Sequence, residues 1–150
     1  MDRTKIILAV EDSDEDFTAF TRILREFPSG VTVHRAKDGD EALDYLYYRG
    51  RYSDPEAAPR PSLILLDLNL PGTDGREVIE EIKQDRDLRA LPVVVLTTSS
   101  SPRDVEACYE YGVNSYLIKP IGVEALKDTL RAFLQYWFGA VVLPDTDLQQ

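Results

Sequence analysis

The chain has 150 residues, 17 of them basic and 27 acidic, for a formal net charge of −10. With 43% hydrophobic and 29% charged residues it is too apolar for a disordered chain and has the size of one ordinary domain. The acidic balance argues against a general nucleic-acid binder, the single cysteine excludes a disulfide framework or multi-cysteine zinc site, and no apolar stretch approaches the ~20 residues of a membrane span.

The start, MDRTKIILAVED, reads as no signal peptide, because its short apolar run leads straight into acids; a cytoplasmic setting is expected. That run, Ile6-Ile7-Leu8-Ala9-Val10, is dense enough for a strand buried on both faces, and it ends in Glu11-Asp12. Phe17, Phe20, Leu24 and Phe27 follow at helical spacing, stopped by Pro28-Ser29-Gly30. Residues 31–36 predict a second strand. Asp38 and Glu41 resemble a capping box for a second helix carrying Ala42, Leu43 and Leu46. Residues 49–62 hold three prolines and no periodicity, which predicts a long loop; Tyr45, Tyr47, Tyr48 and Tyr52 are expected to pack it onto the body. His34, the sole histidine, lies in a predicted strand and is expected to be structural.

Leu63-Ile64-Leu65-Leu66 predicts the third strand, ending in Asp67 and followed by Leu68-Asn69. Val78, Ile79 and Ile82 mark a third helix. Val93-Val94-Val95-Leu96 predicts the fourth strand, ending in Thr97-Thr98. Val105, Cys108 and Tyr109 mark a fourth helix closed by Gly112, with Cys108 packed inside. Residues 116–118 predict the fifth strand, ending in Lys119-Pro120. Val123, Leu126, Leu130, Phe133 and Trp137 mark a fifth helix, and Leu134, Phe138, Val141, Val142 and Leu143 add apolar area beyond its stripe.

Five strand–helix units in series predict an α/β fold: a flavodoxin-like, doubly wound parallel sheet of order 2-1-3-4-5, five helices on its two faces and an extended C-terminal tail. We expect one domain over 1–150, with a core of about 5–137, a tail of 138–150 and no room for an effector domain. In such sheets ligands sit at the carboxyl ends of the strands. There Glu11, Asp12 and Asp67 would meet Lys119. Clustered carboxylates need neutralising, which a hard divalent cation such as magnesium does with oxygen ligands. The lysine and the Thr97 hydroxyl are then free to take an anion, and the set suits phosphoryl transfer onto a carboxylate.

The pieces VEDSDED, LILLDLNLPGTDG, PVVVLTTS and SYLIKP, in this order and spacing, resemble the response-regulator receiver domain of two-component signalling. The resemblance implies Asp67 as phosphoacceptor, with Asp12 as a direct magnesium ligand. Glu11 would act on the metal through water and Asn69 through its backbone carbonyl. Lys119 would bind a phosphoryl oxygen, and a cis peptide would join it to Pro120. Thr97 and Tyr116 would be the switch pair, and Asn69 and Ser99 would flank the hydrolytic water. The long proline-containing loop and the tail are similar to stand-alone regulators of cyanobacterial and bacterial phytochrome kinases. The implied partner is a sensor histidine kinase, here a phytochrome, and the implied output is a changed face of helix 4, strand 5 and helix 5. The chain would accept and lose a phosphoryl group without being an enzyme on other substrates.

The alternating spacing of the fifth helix and the apolar tail predict a homodimer through helix 4, strand 5, helix 5 and the tail. A magnesium-dependent phosphatase of haloacid-dehalogenase type is the alternative, but it would want an acid where Asn69 stands. A flavodoxin-like electron carrier conflicts with the acids beside Ser13, and no Gly-rich Lys-Ser/Thr loop of a P-loop nucleotidase is present.

Overall fold

A computed structural model describes residues 5–27 and 30–144. Pro28 and Ser29, expected to stop the first helix, and tail residues 145–150 lie outside the described residues. The elements run β1 (Lys5–Val10), α1 (Asp14–Leu24), β2 (Val31–Ala36), α2 (Gly39–Leu46), β3 (Leu63–Leu66), α3 (Gly75–Gln84), β4 (Val93–Thr97), α4 (Pro102–Tyr111), β5 (Ser115–Ile118) and α5 (Val123–Gln135). All strand pairs are parallel and their order is β2-β1-β3-β4-β5, as the pattern predicts.

Alternation along each strand divides the core. Ile7, Ala9, Leu63, Leu65, Val94 and Leu96 pack under α1 and α5. Leu8, Val10, Ile64, Leu66, Val93 and Val95 pack under α2, α3 and α4. Strands buried on both faces need dense apolar runs, which is why these were legible.

Local signals set the helix starts. The Ser13 side chain caps α1 by accepting from the Asp16 N–H at 3.2 Å. Asp38 caps α2 by accepting from the Glu41 N–H at 2.7 Å, while Glu41 accepts in turn from the Lys37 N–H at 2.7 Å. Gly112 closes α4 at φ 107, a left-handed conformation. Gly75 opens α3 against the chain after β3: a Cβ there would stand 2.6 Å from Leu68 Cα and would also strike the Asp67 carbonyl oxygen. Its bare Cα lets α3 begin directly behind the end of β3.

The loop of 49–62 contains a short 3-10 turn, Gly50–Tyr52. Tyr45 is fully buried, donates to the Pro59 carbonyl oxygen at 2.7 Å and meets the Tyr52 ring edge-on at 5.2 Å, so these two tyrosines pack the loop, whereas the Tyr47 hydroxyl donates to Asp85 after α3 at 3.2 Å. His34 meets the Tyr45 ring edge-on at 5.8 Å, a packing position. Two expected core residues point outward: Tyr109 is 49% exposed and Val123 is 58% exposed. Val123 is the first residue of α5, and Tyr109 lies in the last turn of α4.

After α5 the chain continues as a π-helical turn, Tyr136–Ala140. Trp137 and Leu143 are buried on the α1–α5 side, with Phe138 and Val141 packed beside them. The described part of the tail therefore folds back onto its own core, leaving Tyr136 and Val142 outward. No helix among the described residues is long and apolar enough to cross a membrane.

Candidate functional site

The carboxyl ends of β1, β3, β4 and β5 converge on one edge of the sheet. Asp67 directly follows β3, and its N–H donates to the Val10 carbonyl oxygen at 3.0 Å, which extends the ladder past the strand. The Lys119 N–H donates to the Thr97 carbonyl oxygen at 2.7 Å in the same way. These backbone bonds carry the two side chains toward each other from opposite sides of β4.

The Lys119 ammonium is the hub. Its Nζ lies 2.7 Å from Glu11 Oε1, 2.8 Å from Asp16 Oδ2 and 2.9 Å from Asp67 Oδ2. A lysine has three N–H donors, and here each has a carboxylate acceptor. The side chains of Lys119, Glu11 and Asp67 are 7%, 10% and 8% exposed, so solvent screens these contacts little. The second Asp67 oxygen, Oδ1, accepts from the Asn69 N–H at 3.1 Å. Below the site, between Phe17 and Phe20, a cavity of about 20 Å³ has room for one water.

The charges tune one another. Burial pushes the Glu11 carboxyl up to about 7, against the pull of the Lys119 hydrogen bond and charge, and the Asp67 charge adds to the rise. Burial alone would push the Lys119 pKa down, yet its hydrogen bonds to Asp16, Glu11 and Asp67 hold it above the ordinary lysine range. Glu11 is thus protonated more readily in the folded chain than in the unfolded one. Its stabilising contribution is complete below its ordinary pKa of 4.5 and is lost as pH rises through about 7. The melting temperature of metal-free protein is therefore expected to fall relative to Glu11→Gln as pH increases from about 5 to about 8. A difference that stays constant over that range would show that Glu11 titrates normally.

Asp12 is exposed beside this hub. Carboxylate oxygens of Glu11, Asp12 and Asp67 all lie within 4.8 Å of one another. Ligands around an octahedral magnesium at about 2.1 Å are at most about 4.2 Å apart, so a small side-chain closure suffices. An all-oxygen, acid-rich donor set fits a hard divalent cation.

Thr97 is fully buried, whereas Thr98 is exposed. The Thr97 Oγ1 lies 3.5 Å from Asn69 Nδ2 and 3.5 Å from the Ser99 N–H. Tyr116 is half-buried against the core, and its hydroxyl donates to the Ser99 carbonyl oxygen at 2.8 Å. The Lys119–Pro120 peptide, expected to be cis, is trans. The trans form is the commoner one for X–Pro bonds, and Lys119 reaches its three acceptors from it.

Sequence reasoning missed two members of this neighbourhood. Asp16 supplies the third carboxylate on Lys119, yet in sequence it is one of three acids in the first turn of α1, an ordinary place for acids. Arg35, at the end of β2, donates from Nε to the Glu11 carbonyl oxygen at 3.0 Å and from Nη1 to Asp14 at 2.8 Å. Its guanidinium lies 4.7 Å from the Phe17 ring centre, so it braces the acidic turn from the side. Only the pairing of β1 with β2 reveals that position.

A family profile described as the response regulator receiver domain matches residues 7–131. Response regulator Rcp1 of Synechocystis sp. (strain ATCC 27184 / PCC 6803 / Kazusa) is 44% identical over 140 residues, which cover 93% of each chain. The crystal structure of the Mn(2+)-bound form of Rcp1 superposes with a TM-score of 0.89 at 44% identity, covering 94% of this chain and 99% of that one. The phosphorylated cyanobacterial phytochrome response regulator RcpA superposes with a TM-score of 0.90 at 39% identity, covering 95% and 99%.

Proposed function

The chain belongs to the response regulator receiver domain family, and from that premise we propose that it is a stand-alone phosphoryl-accepting switch with Asp67 as the acceptor. The observation that carries this reading is the buried Lys119 ammonium, 2.9 Å from Asp67 and 2.7 Å from Glu11. A cation so placed balances an acceptor carboxylate at rest and an incoming phosphoryl group during transfer.

The donor is a phosphohistidine of a sensor kinase. An Asp67 carboxylate oxygen attacks phosphorus in line, the P–N bond to the histidine breaks, and its electron pair returns to the imidazole. The product is an acyl phosphate on Asp67. Glu11, Asp12, Asp67 and the Asn69 carbonyl would hold magnesium, which supplies charge neutralisation to the phosphoryl oxygens. Lys119 exchanges carboxylate partners for a phosphoryl oxygen, and the Thr97 hydroxyl donates to another. The loop after β4 follows Thr97, and Tyr116, bonded to the Ser99 carbonyl, moves with that loop. Hydrolysis resets the switch, and no other substrate is turned over.

Similarity to the cyanobacterial phytochrome response regulator RcpA supports a phytochrome as the kinase, with the exchange proposed to take place in the cytoplasm. The outward side chains Tyr109, Tyr111, Ile118, Ile121 and Val123 support a homodimer through α4, β5 and the start of α5. The tail contributes less to it than its composition suggests, because Leu143 is buried in its own core. Sedimentation equilibrium is expected to show a dimer that Ile121→Asp weakens; a monomer at every concentration would remove the dimer.

The reading is tested by intact mass after incubation with acetyl phosphate, with magnesium and with EDTA. One added phosphoryl group, dependent on magnesium, is expected. No gain under either condition would leave the protein a docking module of receiver fold.

A further inference from the structure

If Tyr116 moves with the loop after β4, whatever holds that loop sets the resting position of the ring. Ser99 is tied at three atoms, one of them its N–H, 3.5 Å from Thr97 Oγ1. Its carbonyl oxygen accepts from the Tyr116 hydroxyl at 2.8 Å, and its own hydroxyl donates to Asp104 Oδ2 at 2.6 Å. Asp104 stands in the first turn of α4. Both of its oxygens are gripped by Arg76 of α3: Nε to Oδ1 at 2.9 Å and Nη2 to Oδ2 at 2.8 Å. The remaining Nη1 donates to both oxygens of Asp74, each at 3.0 Å, and Asp74 is the N-cap of α3.

This is a planar fork on a carboxylate with a second carboxylate behind it, an arrangement that arginine makes and lysine does not. Arg76 is 33% exposed at its side chain and Asp104 is 19%, so the pair is partly shielded. The Arg76 bonds, with a further one from Ser99, hold the Asp104 carboxyl down at about 2. A continuous line of hydrogen bonds thus runs from the start of α3, just behind the acceptor loop, through the loop after β4, to the tyrosine of β5. Arg76 and Asp104 bond to neither Asp67 nor Lys119 among the described residues.

We propose that Arg76 and Asp104 are positioning residues of the switch: their ion pair fixes Ser99, and through the Ser99 carbonyl it holds Tyr116 in its half-buried rotamer. The inference deepens the function proposed above and rests on it for the consequence of phosphorylation. The placement of the ring at rest stands without it. Two alternatives separate by experiment. A tie that merely joins α3 to α4 would change stability everywhere, whereas a positioning tie acts on one tyrosine.

The measurement is fluorine NMR of the unphosphorylated protein labelled with 3-fluorotyrosine, with Tyr116→Phe assigning one of the eight tyrosine signals. In Arg76→Ala and in Asp104→Ala, the Tyr116 signal is expected to move toward the position and solvent-isotope shift of an exposed fluorotyrosine. The Tyr45 signal, buried and bonded to Pro59, is expected to stay. The double variant is expected to go no further than either single one, because one ion pair is lost in each case. Arg76→Lys is expected to restore part of the wild-type signal. Ser99→Ala keeps the ion pair and removes the hydroxyl, which donates to Asp104 and accepts from the Ser101 N–H at 3.4 Å, so it tests the proposal even if the other variants fail to fold; the same direction of shift is expected. An unmoved Tyr116 signal in Ser99→Ala and Arg76→Ala would overturn the proposal. So would an equal movement of all tyrosine signals, which would assign the pair to helix packing alone. A wild-type protein that accepts no phosphoryl group would defeat the proposed function and leave this comparison intact.

Discussion

Asp67→Asn is expected to gain no mass from acetyl phosphate in magnesium, while the wild-type chain gains one phosphoryl group. The reason is chemical rather than structural. The amide keeps the shape, but its single oxygen stands in for only one of the two carboxylate oxygens, so it keeps either the Asn69 N–H or Lys119 as its donor. It lacks the charge and the nucleophilicity that attack on phosphorus demands. It also removes one of the three acids around Lys119, leaving Glu11 and Asp16 to neutralise the ammonium. The variant is therefore expected to fold and to melt no lower than the wild-type chain, so a lost mass gain reads on chemistry. Mass gain at the wild-type rate would place the acceptor elsewhere.

Lys119→Ala is expected to have the largest effect on stability. The lysine is the shared partner of Glu11, Asp16 and Asp67, and two of these are nearly buried. Removing one side of a buried ion pair strands the other, at a cost of about 3–5 kcal/mol. Part of the loss is relieved by protonation, because Glu11 already titrates near 7 in the presence of the lysine and rises further without it. The deficit is thus expected to be larger at pH 8 than at pH 6, and magnesium is expected to recover some of it by replacing the missing positive charge. Thermal denaturation at the two pH values, with EDTA and with magnesium, measures all three effects. A variant that melts with the wild-type chain in EDTA would show that Lys119 contributes nothing to holding the three acids together.

The two variants separate chemistry from architecture at one site. Asp67 is expected to be dispensable for stability and required for transfer; Lys119 is expected to contribute to both. That asymmetry follows from the arithmetic of the site, which has more acids than bases.

What the sequence determined by itself is the scaffold and the identity of the strand-end groups. Strands buried on both faces must be dense and short, helices between them must carry stripes, and five such units leave few ways to order a parallel sheet. Glu11, Asp12, Asp67, Thr97 and Lys119 stand at the ends of those strands, so their meeting followed once the order was set. What only the tertiary structure decided is which long side chains reach across. Asp16 lies one helical turn past Asp12, and nothing in its neighbours distinguishes it from a helix-start acid; it is the placing of β5 that brings Lys119 to it at 2.8 Å. Arg35 meets the acidic turn only because β1 and β2 pair in register, Ala9 with Arg35. Arg76 meets Asp104 from 28 residues away because α3 and α4 pack side by side on one face of the sheet. The described part of the tail, apolar enough to suggest a partner, packs Phe138, Val141 and Leu143 on the α1–α5 side of its own core and leaves Val142 outward. Local pattern encodes which face a residue takes. Charged groups with long side chains find partners by distance in space, and that distance is set by the packing of elements far apart in the chain.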